Sequence, residues 1–485
     1  MSNNIATTPS TPHPEYTASL SMWEKCRDAL EGEDKIKQQG LVYLPMLGGQ
    51  DISEYNAYKA RATYYNATRR TVSGLVGAVM RKPPEIKVPD KLDFLLGSFG
   101  SDGEHIEVFA EKLLTEVLSL GRVGVLVDVA DGDTPYVAIY YAENIINWRE
   151  QRIGGRKILT LLVLQEAHEE PNGFAVETKR QLRVFVLQDA ETANPTVLFQ
   201  LYRQKTAGAA TAEDWLLVEE RVLAAAGGKA LNEIPFVFVS PCGLSSRVER
   251  SPILDLININ LSHYRTSADL EHGRHFTALP TAWAAGFSIK QTYKIGSSVV
   301  WVSDDPNAHA GFLEFTGAGL ASLREALEQK QGQMAVLGAR LLEESRPGVE
   351  AAETVKLRHS GESGSLLTVA HAVSDGIKKA LRFAYFWQSG SFEAEIVFDL
   401  NDEFLPGNLD AQKITAMVSA LQSGAMSFEA YFYNLSRAGM YPEDWTLDDE
   451  RASLLATTTL PEPAPAPEAR AGSNPQPDTP AANGA

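Results

Sequence analysis

The strongest constraint on the fold is a change of character at Pro241. Before it, from Ile158 to Val239, the chain runs through ILTLLVLQEA, QLRVFVLQ, TVLFQLYRQ, WLLVEERVL and IPFVFVS. These segments are rich in β-branched, aromatic and aliphatic residues. Asn, Gly, Asp and Pro lie between them, as hairpin connections require. After Pro241 the apolar spacing becomes helical. Ser251-Pro252 reads as an N-cap followed by proline at the first helical position. Ile253, Ile257, Leu261, Tyr264 and Ala268 then form one stripe. A run of strands followed by a run of helices predicts an α+β fold.

The segments on either side extend the pattern. Residues 53–81 read as one helix, with Ser53 as N-cap and Pro83-Pro84 as its stop. A second helix covers Glu104 to Leu120 and ends at Gly121, after which Val123–Val129 is a continuous apolar strand. Residues 135–148 read as another strand leading into a turn. Between 277 and 317 the pattern is short and mixed, with a strand expected at Ser298–Val302. The longest helix follows, from Ala318 to Glu344. Leu320, Leu327, Met334 and Leu341 stand seven apart, with Leu323 and Leu337 at partner positions and Lys330 interrupting the seam. Such a face suits either packing against a neighbouring copy or packing within its own domain. Residues 346–364 are polar and glycine-bearing. Ser365–Trp387 is again helical, with Leu366, Val369, Val373, Ile377 and Leu381 on one side. Two short helices, 409–423 and 428–438, place Gly424 and Gly439 at C-cap positions.

Both ends read as disordered. Residues 1–14 are polar, with Thr, Ser and Pro, and residues 460–485 contain almost no large apolar side chain to offset ordering entropy. In between, 485 residues at 44% hydrophobic can bury sizeable cores. No apolar run is long enough to cross a bilayer, and the N-terminus lacks a signal-peptide pattern. Cys26 and Cys242 read as two reduced thiols.

Motifs for chemistry are weak. Gly227-Gly228-Lys229 has Leu223 where a phosphate loop needs glycine and Ala230 where it needs Ser or Thr. Gly361-Glu362-Ser363-Gly364-Ser365 lacks the closing glycine of a nucleophile elbow. His263, His272 and His275 do not share one helical face, so they read as polar-face histidines rather than metal ligands. The adjacent carboxylates Glu169/Glu170, Glu219/Glu220 and Glu343/Glu344 diverge from each other and read as solvated edges. The tyrosines Tyr55, Tyr58, Tyr64 and Tyr65, with Arg61, Arg69 and Arg70, fit phosphate contact or an amphipathic stripe equally well. The net charge of −18 argues against a protein that grips DNA through a basic face.

The stretch Asn232–Phe276, NEIPFVFVSPCGLSSRVERSPILDLININLSHYRTSADLEHGRHF, resembles the start of the stem of tailed-bacteriophage portal proteins, the head-to-tail connectors. The residues that carry the likeness are Ile234-Pro235-Phe236, Ser251-Pro252-Ile253-Leu254 and Asn258 through Asp269. The C-terminal LDAQKITAMVSALQSGAMSFEAYFYNL (409–435) resembles the helical end of many portals. The order of segments agrees over most of residues 50–445. The short clip and the absence of a large crown depart from the best-known members.

The resemblance implies an assignment of parts: an arm at 1–14, an α/β wing-like region at 15–250, a first stem helix at 251–276, a small clip at 277–317 and a second stem helix at 318–345. A tunnel loop at 346–364, a wing helix and strand at 365–400, a crown-like helical region at 401–459 and a tail at 460–485 complete it. It also implies a closed ring of about twelve subunits at one capsid vertex, assembled in the host cytoplasm, through which double-stranded viral DNA is packaged and ejected. Implied partners are the terminase large subunit, the major capsid and scaffolding proteins, and a head–tail adaptor. No catalytic residue, metal or cofactor is implied, since ATP chemistry belongs to the motor. Arg346, Lys356 and Arg358 become the DNA-channel candidates, and Leu320, Leu327, Met334 and Leu341 the ring-packing candidates. About twelve copies at −18 each carry a formal charge on the order of −200, which favours a tunnel to which DNA does not stick. The competing readings are a soluble hydrolase with dispersed carboxylates and another virion structural protein such as an adaptor.

Overall fold

A computed structural model describes residues 8–129, 134–192, 194–205, 214–278, 281–288, 292–294, 299–313, 317–340, 364–402, 417–421, 423, 425–437, 441 and 445–458. The chain forms two units, Met1–Phe404 and Leu405–Ala485.

The first unit is built outward from one helix and one strand. Helix α6 (Ile106–Leu120) follows α1 (Pro14–Glu31), α2 (Glu33–Gln39), α3 (Ile52–Arg61), α4 (Ala67–Val79), β1 (Glu85–Lys87) and α5 (Asp93–Gly97). It buries Ile106, Phe109, Leu113, Leu114 and Val117. Gly121 ends it in the left-handed region at φ 79°, where a Cβ would lie 3.0 Å from the Arg250 carbonyl oxygen. Glycine therefore meets two demands here, the conformation and the close approach. The next strand, β2 (Val123–Val129), is buried almost throughout. It is the centre of an antiparallel sheet, flanked by β3 (Pro135–Tyr141) and by β9 (Phe236–Val239). A strand covered on both faces needs a continuous apolar run rather than alternation, which explains VGVLVDV.

The strand-rich stretch is a five-stranded antiparallel meander. Its order is β4 (Ile145–Ile153), β5 (Arg156–Asn172), β6 (Ala175–Gln188), β7 (Thr196–Gln204) and β8 (Trp215–Val222). Near their bases β5 and β6 bury both faces: Leu162, Leu164, Phe185 and Leu187 join the main core, while Val163, Leu182 and Val184 form a second cluster with Ile146. The helical run is α7 (Leu254–Ala278), the hairpin β10 (Thr281–Ala285) and β11 (His309–Leu313), α8 (Ala318–Arg340) and α9 (Gly364–Ser389). The predicted stripe of α9 is buried at Leu366, Val369, Val373, Ile377 and Leu381, and the helix packs on α6, β2 and β9. Strand β12 (Val397–Asp399) closes the unit by pairing with β1.

In the second unit, α10 (Phe428–Arg437) matches the expected helix at 428–438. Of the helix expected at 409–423, residues 417–421 are described and helical. An unanticipated helix, α11 (Leu447–Thr458), starts where Thr446 and Asp449 bond to each other. Tyr441 stacks near Phe432 at 4.7 Å and donates to Glu450 at 3.0 Å. Gly424, Gly439 and residues 460–485 lie outside the described residues.

Four sequence expectations are corrected. Residues 8–14 are placed rather than disordered: His13 N–H donates to the Ile146 carbonyl at 2.8 Å, and its ring stacks on Trp148 at 4.0 Å. Composition could not show that the edge of β4 offers this segment partners. The helix expected at 53–81 is two helices, α3 and α4, broken at Ala62 (ψ 140°). Asp51 and Glu54 form a capping box for α3, so Asp51, not Ser53, is its N-cap, and Asn66 caps α4. Val299–Val302 is not a strand: Val300 and Val302 are 84% and 77% exposed, and no partner strand lies beside them among the described residues. Finally, the Ser251 hydroxyl does not cap α7. It donates to the Ser119 carbonyl at 2.6 Å, tying the start of α7 to the end of α6.

Candidate functional site: a two-helix stem and its hairpin

Helices α7 and α8 run antiparallel. Leu320 lies against Gly273, where a Cβ would come within 2.6 Å of the leucine Cδ2. Further along, Lys330 Nζ reaches the Thr266 hydroxyl, and Gln331 Nε2 lies 3.2 Å from His263 Nε2. Residues 320 to 331 thus descend α8 as 273 to 263 descend α7. The β10–β11 hairpin joins the far ends, paired from Thr281↔Leu313 to Ala285↔His309. Phe287, Tyr293 and Trp301 form a small aromatic cluster beyond it, with ring centroids 5.4–6.0 Å apart.

The near end of the pair is seated on the body by polar contacts. Asn260 is fully buried, and its amide donates to the Tyr64 hydroxyl at 2.7 Å and to Thr68 Oγ1 at 3.0 Å. Tyr58 donates to Asp269 Oδ1 at 2.6 Å, and the Thr63 N–H donates to Ser267 Oγ at 3.2 Å. Burial, reinforced by the Asp269 carboxylate, holds the Tyr58 phenol well above its ordinary value. Burial alone dominates at Tyr64, which is pushed up to about 12. Side chains of α7 are buried as far as Leu270, and from Glu271 onward they are half-buried or exposed. The pair therefore projects from the body, with its hairpin outermost.

This arrangement resolves several sequence candidates. Tyr55, Tyr58 and Tyr64 are buried and do not meet phosphate: Tyr58 and Tyr64 bond α7, and Tyr55 donates to the Leu44 carbonyl at 3.0 Å; Tyr65, at 42% exposure, is the outward member. Met334 is 3% exposed, and Leu320 packs on α7. Within the subunit the heptad seam is therefore covered at Met334 and partly covered at Leu320. Leu327 is half-buried, and Leu341 lies outside the described residues. The channel candidates Arg346, Lys356 and Arg358 also lie outside them. His263 is buried rather than on a polar face; desolvation first, then the Lys330 ammonium, lowers its basicity. His272 sits edge-on to Tyr58 at 5.2 Å, and His275 Nε2 is 3.1 Å from Arg61 Nη2. Among the described residues no group of three His, Cys, Asp or Glu is placed to hold a metal ion. Gly227 and Gly228 form a left-handed turn at φ 78° and 77°, and Lys229 donates to the Gly390 carbonyl at 2.7 Å. Cys26 is buried, its thiol pushed up to about 11 by desolvation, and Cys242 is exposed. No helix among the described residues is long and apolar enough to cross a membrane.

Sequence reasoning missed Arg27 and Arg122. Arg27 binds Glu116 through both terminal nitrogens (2.7 and 2.6 Å) and Glu143 through Nε at 2.7 Å, tying α1 to α6 and to the turn before β4. Arg122 is fully buried, stacked 3.7 Å from the Trp148 ring centroid and 4.7 Å from that of Phe238. Both form from residues distant in sequence, so no local signal marks them.

A family described as "Domain of unknown function (DUF4055)" matches residues 252–388, which run from the start of α7 to the end of α9. No curated protein matches the chain. Similar solved structures include "Virion of native gene transfer agent (GTA) particle", at 12% identity and TM-score 0.38, covering 84% of this chain and 99% of that one. "Neck of native GTA particle computed with C12 symmetry" gives 11% identity and TM-score 0.36, covering 78% and 90%. "Neck of empty GTA particle computed with C6 symmetry" gives 11% and 0.35, covering 78% and 91%. TM-scores of this size do not establish a shared fold.

Proposed function

We propose that the chain is a portal subunit, a structural component of a phage-like virion that assembles into a closed ring through which DNA passes. One observation carries this reading: an antiparallel helix pair, seated on an α/β body, projects from it and ends in a β-hairpin. Those parts occur in the order that the likeness of residues 232–387 to portals implies. In this reading α7 and α8 are the stem, β10–β11 the clip and α9 the wing helix. The segment between α8 and α9 supplies the channel loop, with Arg346, Lys356 and Arg358 near the phosphates. The subunit carries no catalysis of its own; the packaging motor, capsid, scaffold and adaptor are its partners, and the ring sits at a capsid vertex.

The acidic charge fits this role. A wall that repels phosphate lets a duplex slide, whereas a basic wall would hold it. Negative-stain microscopy of the purified chain tests the proposal. Rings of about twelve subunits with a central hole are expected. Compact particles without a hole would sink it and favour the hydrolase reading. Replacing Arg346, Lys356 and Arg358 together by Ala should leave rings intact but change packaged length or genome retention. Unchanged values for both would remove these three residues from the channel role.

A further inference from the structure

The five-stranded sheet carries two features that a stem and a channel do not use. The first is an arm. Strands β5 and β6 stay paired from Ala167↔Arg180 to Asn172↔Ala175, a projection of roughly 20 Å. Residues 171–178 are exposed on both faces. At the tip, Phe174 is fully exposed (111%), beside Val176 at 60%. A hairpin this long with an aromatic tip gains nothing from burial in the isolated subunit.

The second is a cavity of about 1190 Å³ at the base of the same strands. Its floor is Leu161, Val163, Val184 and Val186, and the segment Thr8–Glu15 walls one side. Its floor is apolar, while its walls carry Arg149, Lys157 and Arg247 together with Glu15 and Glu150, so it suits an apolar side chain carried on a charged polypeptide. A subunit cannot fill its own cavity. Floor and tip lie on the same continuous strands, and the nine residues from Val163 to Asn172 separate them by on the order of 30 Å.

The uncommitted charges match. On the arm, Glu170 is paired with Lys179 at 2.7 Å; Glu169 and Glu177 project from opposite faces and make no ion pair among the described residues, although Lys179 also attracts Glu177. At the cavity, Lys157 faces Glu150 at 3.7 Å, while the exposed Arg149 and Arg247 make none among the described residues. A closed ring of identical chains needs two different surfaces on each subunit that complement each other.

We propose that the β5–β6 tip of one copy seats Phe174 in this cavity of a second copy, with Glu169 and Glu177 meeting Arg149 and Arg247. The contact rests on the ring reading and adds a clasp between subunits outside the stem. Two experiments on the full chain test it, both with the exposed Cys242 changed to Ser. In the first, Phe174→Cys protein is mixed with Val186→Cys protein under mild oxidation. Disulfide-linked dimers in the mixture, but in neither protein alone, are expected; dimers from the Phe174→Cys protein alone mean that tips meet tips and overturn the proposal. In the second, Glu169→Arg with Glu177→Arg should raise the protein concentration needed for rings by roughly tenfold, with circular dichroism unchanged. Adding Arg149→Glu and Arg247→Glu should restore assembly. Wild-type rings with no effect of the charge reversal and no mixed crosslink overturn the clasp and leave the ring reading standing. Absence of wild-type rings overturns the ring reading, and the mixed crosslink then still decides the contact.

Discussion

Arg122 is the residue at which burial and charge are most at odds. Desolvation pushes its guanidinium down to about 9, and none of its three nitrogens has a hydrogen-bond partner among the described residues. Stacking on Trp148 and Phe238 offsets part of that cost, since desolvated cation–π contacts contribute about 2 kcal/mol. An unpaired buried charge costs more than that. Arg122→Met, similar in length and apolar, should therefore raise stability by about 1 kcal/mol or more, seen as a higher urea midpoint. The sign in pH follows. The folded state releases this proton at lower pH than the unfolded chain does, so the penalty applies below about 9 and eases above it. Tyr43 presents the opposite case. Its hydroxyl donates to the buried Asp28 carboxylate at 2.6 Å. Tyr43→Phe should lower stability by about 1–3 kcal/mol, because it leaves that carboxylate without its shortest bond.

For the elements, the decisive relation is how α7 is held from both sides. On the body side, Asn260→Ala removes two buried bonds and opens a small void, so a loss of about 2–3 kcal/mol is expected in denaturant titration. On the α8 side, Leu320 packs into the space that Gly273 leaves open, and a Cβ there would displace the leucine methyl. Gly273→Val should loosen the helix pair, which limited proteolysis between the two helices would report as faster cleavage. His263 adds a dependence on pH. Its imidazole is held neutral in the fold, below the ordinary 6.5, so the unfolded chain takes up the proton first. Stability from this residue is complete above about 6.5 and falls as pH drops below that value. His13 and His272 are lowered for the same principal reason, desolvation, and act in the same direction. His263→Gln should flatten the slope of melting temperature between about pH 7 and 5.

For the whole molecule, the proposed ring makes the net charge of −18 a property of the assembly. Like charges on neighbouring subunits repel over about 8 Å at physiological salt. Ring formation should therefore strengthen from low salt to moderate salt, and analytical ultracentrifugation across a salt series measures this directly. The proposed clasp places opposite charges at close range against that background. Deleting residues 461–485 should leave assembly unchanged, since the segment lacks the apolar side chains that bury area at an interface; loss of rings on deletion would show it to be part of the contact.

Much of the architecture was legible because its signals are local. The period of Ile253, Ile257, Leu261 and Tyr264 specifies a helix whatever surrounds it, and VGVLVDV after Gly121 specifies a buried strand. The α9 stripe was equally plain. The sequence also placed a helix with a seven-residue seam, but it could not say what the seam meets; the fold buries Met334 and sets Leu320, half-buried, against Gly273 of α7. The tyrosine cluster is ambiguous for the same reason. Its periodicity is consistent with a buried stripe or an exposed one, and only Asn260 and Asp269, about two hundred residues away, decide that it is a seat. Residues 8–14 looked disordered because composition counts apolar area and cannot see the edge of β4 that His13 joins. What the sequence alone determined was element type and order, which depend on neighbours within a few residues. What only the tertiary structure decided was which faces are used up within the subunit and which, like the Phe174 tip and the cavity at the base of the sheet, remain open, because that depends on pairs of residues that the chain brings together from far apart.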